Sequence, residues 1–162
     1  MTNLTEHTNA IADILKARKQ TVAVAETSAG GLVSAQLLAV PGASAYFLGG
    51  GVIYTGDARE ALVGISNSNM GNIRSSSEQF AELLAKTIRE RLQTTWGLAE
   101  TGAAGPSGNR YGDDAGHTCI AVSGPVSKVM TIETGSAKRS ENMWRFSMEA
   151  LTLLKSCLDN QG

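Results

Sequence analysis

In the stretch PGASAYFLGGGVIYTGDARE (41–60), a serine and a tyrosine flank a glycine-rich apolar run. Ser44 and Tyr54 are residue types that serve in acyl transfer, one as a hydroxyl nucleophile and the other as a phenol that relays a proton. The next residue in line to complete such a pair is Arg59. An arginine stays protonated at any ordinary pH, so it cannot take the proton that the serine must lose. The stretch therefore poses two alternatives: an acyl-transfer site that has found another base, or a site with no such chemistry. Taken alone it also has plain readings, with Ser44 capping a helix and Tyr54 packing at a strand end.

Two further loops carry residues of chemical interest. AETSAGG (25–31) is a strand-to-helix turn, where helix N–H groups together with the Thr27 and Ser28 hydroxyls would hold a phosphate or carboxylate. Equally, Gly30 and Gly31 would only let the helix pack close to its strand. Glu26 ends the strand, where open α/β sheets bind their ligands. The turn matches neither a P-loop nor a dinucleotide fingerprint. The second loop, TGAAGPSGNRYGDDAGH (101–117), is long for a connection in a compact fold, and such loops are usually functional or disordered. Thr101, Gly102, Ala104 and Gly105 lead into a proline, a composition that sets backbone shape. His117 would act as a base or as a hydrogen-bonded strand residue. Asp113 and Asp114 would hold a metal beside a ligand phosphate or simply be solvated.

The elements that must position these residues follow from periodicity. Helical spacing is predicted over 5–19, over GLVSAQLLAV (31–40), over 57–64 and, most clearly, over SSSEQFAELLAKTIRERLQTT (75–95), where Ser75 and Glu78 have capping-box spacing. TVAVAE (21–26), GGVIYT (50–55) and WGLAET (96–101) read as strands, and SNSNMGNIR (66–74) as a polar loop. HTCIAVSG and SKVMTIET form a hairpin around Gly124–Pro125, and a last helix covers about 138–158. Strands alternating with helices predict a three-layer α/β/α sandwich on a mixed, mainly parallel sheet. No linker, repeat or low-complexity tract divides residues 1–162, so a single domain is expected.

Composition removes several classes of function. The net charge of −1 offers no electrostatic footprint for nucleic acid or an anionic membrane. Cys119 and Cys157 lie far apart outside any CxxC pattern, and with two histidines they build neither a disulfide scaffold nor a zinc site. The first residues do not read as a signal peptide and no apolar run approaches a membrane span, so a cytoplasmic protein is expected. A homo-oligomer is compatible with this size, with Tyr111 or Trp144 at the contact.

Taken in order, AETSAGG, PGASAYFLGGGVIYTGDAREALVGI and TGAAGPSG resemble the C-terminal domain of the competence/damage-inducible CinA family, over essentially the whole chain. That domain also occurs as a free-standing nicotinamide-nucleotide amidohydrolase. The resemblance implies a five-stranded mixed sheet. It also implies metal-independent, cofactor-free hydrolysis of the carboxamide of nicotinamide mononucleotide (NMN) to nicotinic acid mononucleotide and ammonia. It maps the family's serine onto Ser44 and its tyrosine onto Tyr54, and it puts Arg59 where the family has a lysine. The expected catalytic set is thus Ser44, Tyr54 and Arg59. The ligand would be held by Glu26, Thr27, Ser28, Gly30, Gly31, Gly50, Thr101, Gly102, Ala104, Gly105 and His117. Backbone N–H groups of 49–51 or 102–105 would form the oxyanion hole. GNRYGDDAGH departs from the family's Lys-Pro-Val-Gly segment. With the lysine lost, the alternatives are a catalytically inactive nucleotide-binding module, in which Arg59 clamps a phosphate or carboxylate, and an amidase for another substrate.

Overall fold

The computed structural model describes residues 2–161. Its elements run α1 (Thr2–Arg18), β1 (Val22–Glu26), α2 (Leu32–Leu38), a 3₁₀ turn (Ala43–Ala45), β2 (Phe47–Val52), α3 (Gly56–Val63), α4 (Asn67–Met70), α5 (Glu78–Leu92), β3 (Trp96–Ala103), β4 (His117–Ser123), β5 (Lys128–Glu133) and α6 (Arg139–Asp159). One sheet has the order β2-β1-β3-β4-β5. β2, β1 and β3 are parallel, whereas β3, β4 and β5 are antiparallel, so the two ladder types are equal in number rather than mainly parallel.

The apolar residues sort onto the two faces of this sheet. Ile11, Leu15, Leu37, Phe146, Leu151 and Leu154, from α1, α2 and α6, cover one face against Val24 and Leu98. Val63, Met70, Phe80, Leu84 and Ile88, from α3, α4 and α5, cover the other against Ala23 and Ala99. Alternate residues of β1 thus face opposite helical layers, as strand geometry requires. Each fully buried leucine of this kind contributes about 1.5–3 kcal/mol, which makes the predicted three layers the stable arrangement. No helix among the described residues is long and apolar enough to cross a membrane.

Three local expectations shift. β2 begins three residues earlier than predicted and ends at Val52, because Thr55 caps α3 by accepting from the Ala58 N–H. A Cβ on Gly50 would lie 2.2 Å from the Val24 carbonyl oxygen, so this glycine permits the close approach of β2 to β1. The polar segment 66–74 contains α4, closed by a capping box between Ser66 and Asn69. The cap of α5 is Ser77, which accepts from the Phe80 N–H, and not Ser75.

Candidate functional site

Because β1, β2 and β3 are parallel and in register at Glu26, Val52 and Glu100, the residues just beyond them emerge at one edge of the sheet. The chain leaves β1 and β2 toward opposite helical layers, a switch point of the kind at which open α/β sheets bind ligands.

Two buried carboxylates shape this edge. Glu26 accepts the N–H groups of Gly31 (2.7 Å), Val33 (3.1 Å) and Ser34 (3.0 Å) and the Ser34 hydroxyl (2.9 Å). It is the cap of α2, so the helix N-terminus that would have received a ligand anion is already occupied by the protein. Glu100 is buried and accepts from the Thr27 N–H (3.2 Å), Ala29 N–H (2.8 Å), Ser28 hydroxyl (2.5 Å) and Thr118 hydroxyl (2.8 Å). Burial pushes its carboxyl above the ordinary range, against the opposing pull of those hydrogen bonds. Glu26 and Ser28 therefore spend their side-chain hydrogen bonds on building the turn.

Beyond that turn lies a cavity of about 250 Å³ whose walls include Thr27, Tyr54, Arg59, Thr101 and Gly102. Ile53 and Phe80 supply an apolar wall, and Ser75 and Ser76 close the side toward α5. The Thr27 hydroxyl has no hydrogen-bond partner among the described residues, since only the backbone of Thr27 is engaged. Arg59 is 8% exposed. Its Nε–H donates to the Ile65 carbonyl (2.9 Å) and Nη2 donates to Asn67 Oδ1, both neutral acceptors. Among the described residues no carboxylate lies within ion-pair distance of it. Tyr54 stands 60% exposed at the mouth, where its hydroxyl accepts from Arg139 Nη2 (3.1 Å) and not from Arg59.

Ser76 separates this cavity from a second one of about 790 Å³ between α5 and the β4–β5 hairpin. It has φ +57°, a left-handed conformation that costs a non-glycine residue energy and is held by its neighbours. Its N–H donates to Thr101 Oγ1 (3.2 Å), while its carbonyl accepts from His117 Nε2 (2.8 Å). His117 Nδ1 lies 2.5 Å from Glu133 Oε1. Burial alone would lower the His117 pKa, but the Glu133 hydrogen bond, the Ser76 carbonyl and the nearby Asp113 charge outweigh it and hold the ring above its ordinary value. Asp113 itself is paired with Arg74 (2.8 and 3.2 Å) and Asn109 (2.8 Å), so its carboxylate is committed to holding the loop and not to a metal.

Five of the sequence-derived site residues thus meet at one cavity and the rest do not. Ser44 lies in the 3₁₀ turn before β2, exposed, whereas Tyr54 lies after that strand. At about 3.3 Å per strand residue the two are on the order of 20 Å apart, so Ser44 does not meet Tyr54 and Arg59 within one chain. Gly50 is a strand-packing glycine, away from the cavity. Gly30 (φ +68°) and Gly31 (φ +100°) serve the turn, and a Cβ on Gly30 would meet Met143 at 2.8 Å. The Ala104 and Gly105 carbonyls accept from Asn142 and Arg139, which fastens this loop to α6. His117 faces the second cavity. Sequence reasoning missed Glu100, Arg139, Ser75, Ser76 and Phe80. Glu100 did leave a signal, as a carboxylate inside an otherwise apolar strand must be satisfied by hydrogen bonds.

Known proteins share this architecture. The CinA C-terminal domain model matches residues 4–158. A CinA-like protein of Desulforapulum autotrophicum is 34% identical over 151 residues, which cover 92% of this chain and 36% of that protein. A second from Gloeobacter violaceus is 36% identical over 149 residues, covering 91% and 35%. The chain therefore spans about a third of the length of these curated relatives. Among solved structures, the CinA superfamily protein from Enterobacter cloacae superposes with a TM-score of 0.88 at 26% identity, covering 96% of this chain and 92% of that one. The competence/damage inducible protein CihA from Agrobacterium tumefaciens gives 0.89 at 25%, covering 97% and 96%. Sequence match, strand order and superposition agree, and the chain belongs to the CinA C-terminal domain family.

Proposed function

We propose that this chain is a nucleotide-binding member of the family, whose cavity takes a pyridine mononucleotide of the NMN type without hydrolysing its amide. The observation that carries this reading is Arg59: a buried cation with neutral partners only, on the wall where amide hydrolysis needs a proton acceptor. A guanidinium binds anionic groups well and accepts no proton. The cavity wall contains no histidine, lysine, aspartate or glutamate, and Tyr54 is the only other ionisable group on it. The Tyr54 hydroxyl is engaged by Arg139 at the mouth of the cavity.

A second reading rests on Thr27, which lines the cavity and whose hydroxyl has no hydrogen-bond partner among the described residues. In an amide hydrolase that oxygen would attack the carboxamide carbon, Tyr54 would relay the proton to the leaving ammonia, and water would release the acyl group. One pair of measurements decides between them: ammonia release from NMN in the presence of EDTA, and calorimetric titration with NMN. Binding without ammonia supports the module. Ammonia release that disappears in Thr27→Val overturns it in favour of the hydrolase.

A further inference from the structure

We infer that Arg59 makes the cavity selective for an aromatic carboxylate, so that the acid form of a pyridine nucleotide binds in preference to the corresponding carboxamide. This rests on the nucleotide-binding reading and says which of two closely related ligands the cavity was built for.

Arg59 carries five N–H donors and no acceptor. Its bonds to the Ile65 carbonyl and Asn67 Oδ1 use two of them and leave the guanidinium without a protein carboxylate. A buried charge in this state gains most from a ligand that brings the opposite charge. A carboxylate presents two oxygens that only accept, matching the remaining N–H groups of the fork. A carboxamide presents one oxygen and an NH₂, and the NH₂ would point donor against donor. The hydroxyls of Thr27, Ser75 and Thr101 do not discriminate, because each can donate or accept. Arg59 alone among the cavity groups tells acid from amide.

Shape decides which anion reaches it. At about 250 Å³ the cavity lies below the usual range of roughly 300–1,000 Å³ for pockets that enclose a whole ligand, so it takes a ring and its substituent, not an entire nucleotide. Ile53 (3% exposed) and Phe80 (2%) give the ring an apolar wall. Arg59 is nearly buried, whereas Tyr54 is open to solvent at the rim. A ring carboxylate therefore meets Arg59, and the ribose phosphate extends past Tyr54. The two bonds to Ile65 and Asn67 hold the guanidinium in place before the ligand arrives, which lowers the ordering cost of binding.

The test is calorimetric titration of the unmodified protein with nicotinic acid mononucleotide, with NMN and with ribose 5-phosphate. The acid should bind about tenfold or more tightly than the amide, the difference expected between a charge-assisted pair and a neutral one. Ribose 5-phosphate should compete weakly. In Arg59→Gln the preference should vanish, with Arg59→Lys intermediate because it keeps the charge and loses the fork. Equal or tighter binding of the amide overturns the selectivity while leaving nucleotide binding intact. Competition by ribose 5-phosphate as strong as by the acid also overturns it, by assigning Arg59 to the phosphate. Failure of both nucleotides to bind overturns the nucleotide-binding reading and this inference together. The comparison of ligands on the unmodified protein decides the matter even if a substitution at Arg59 loosens the α3–α4 connection.

Discussion

Replacing Glu100 tests whether the Thr27 turn is built as described. In Glu100→Ala, the Ala29 N–H and the Ser28 and Thr118 hydroxyls lose their acceptor at once, while the Thr27 N–H keeps the Glu100 main-chain carbonyl at 3.0 Å. A buried donor left unpaired costs about 1–3 kcal/mol, and the three are not additive because the hydroxyls can turn elsewhere. A loss of about 3–5 kcal/mol follows, in the range of a broken buried network. Glu100→Gln is different. The two N–H groups share Oε2 and can only donate, so the amide oxygen must take that side. The amide NH₂ then faces Ser28 and Thr118, whose hydroxyls have lone pairs to accept it. The cost should fall to about 1 kcal/mol, for two hydroxyl protons that must find new acceptors.

Urea denaturation at neutral pH measures both variants. There is also a pH signature. Burial raises the native carboxyl above its unfolded value near 4.5. Its stabilising contribution is therefore complete below that value and is lost as pH rises through the native one. Glu100→Gln should lack this dependence. If alanine costs no more than glutamine, or if glutamine unfolds the protein, the proposed division of donors between the two oxygens is wrong.

Four other outcomes follow from the structure. His117, held above its ordinary value of 6.5, contributes stability that is complete below that pH and is lost as pH rises through the native value; His117→Phe should abolish the dependence in thermal melts over this range. Burial would raise the Asp113 carboxyl, but Arg74, Asn109 and His117 outweigh it, so its contribution is present above 3.8 and lost as pH falls through the lower native value; Arg74→Met should weaken that acid-range loss in denaturant titrations. Gly50→Ala should cost about 3 kcal/mol or more in urea, because the new methyl meets the Val24 backbone and not a movable side chain. Ser44→Ala should leave melting temperature and nucleotide affinity unchanged, since Ser44 is exposed and remote from the cavity.

The layers were legible in the sequence because buried strands and amphipathic helices repeat with different periods. α5 and the β4–β5 hairpin show those periods plainly. The limits of β2 were not, since FLGGGV has too few side chains to show alternation, and its place depends on a backbone approach to Val24. α4 escaped because its polar residues read as a loop, while the Ser66–Asn69 cap gives the helix its start. At the site, Thr27, Thr101 and Gly102 were found from the two glycine-bearing stretches 25–31 and 101–117, and Tyr54 and Arg59 from the stretch 41–60. Ser44 came from the family resemblance, and the strand between it and Tyr54 carries the two apart within one chain. The bond from Arg139 to Tyr54 spans 85 positions, and nothing local in either residue announces it.

Arg59 is the fourth residue of α3, and α3 belongs to no strand ladder. Its anchors, Ile65 and Asn67, lie within the next eight residues. The side chain that sets the charge of the cavity is thus mounted on a short self-contained segment, and exchanging it disturbs no pairing in the sheet. On the binding reading proposed above, two chains that superpose along nearly their whole length would differ in whether they bind or cleave according to one position on a peripheral helix. Activity should be transferred between such chains only after that position has been read.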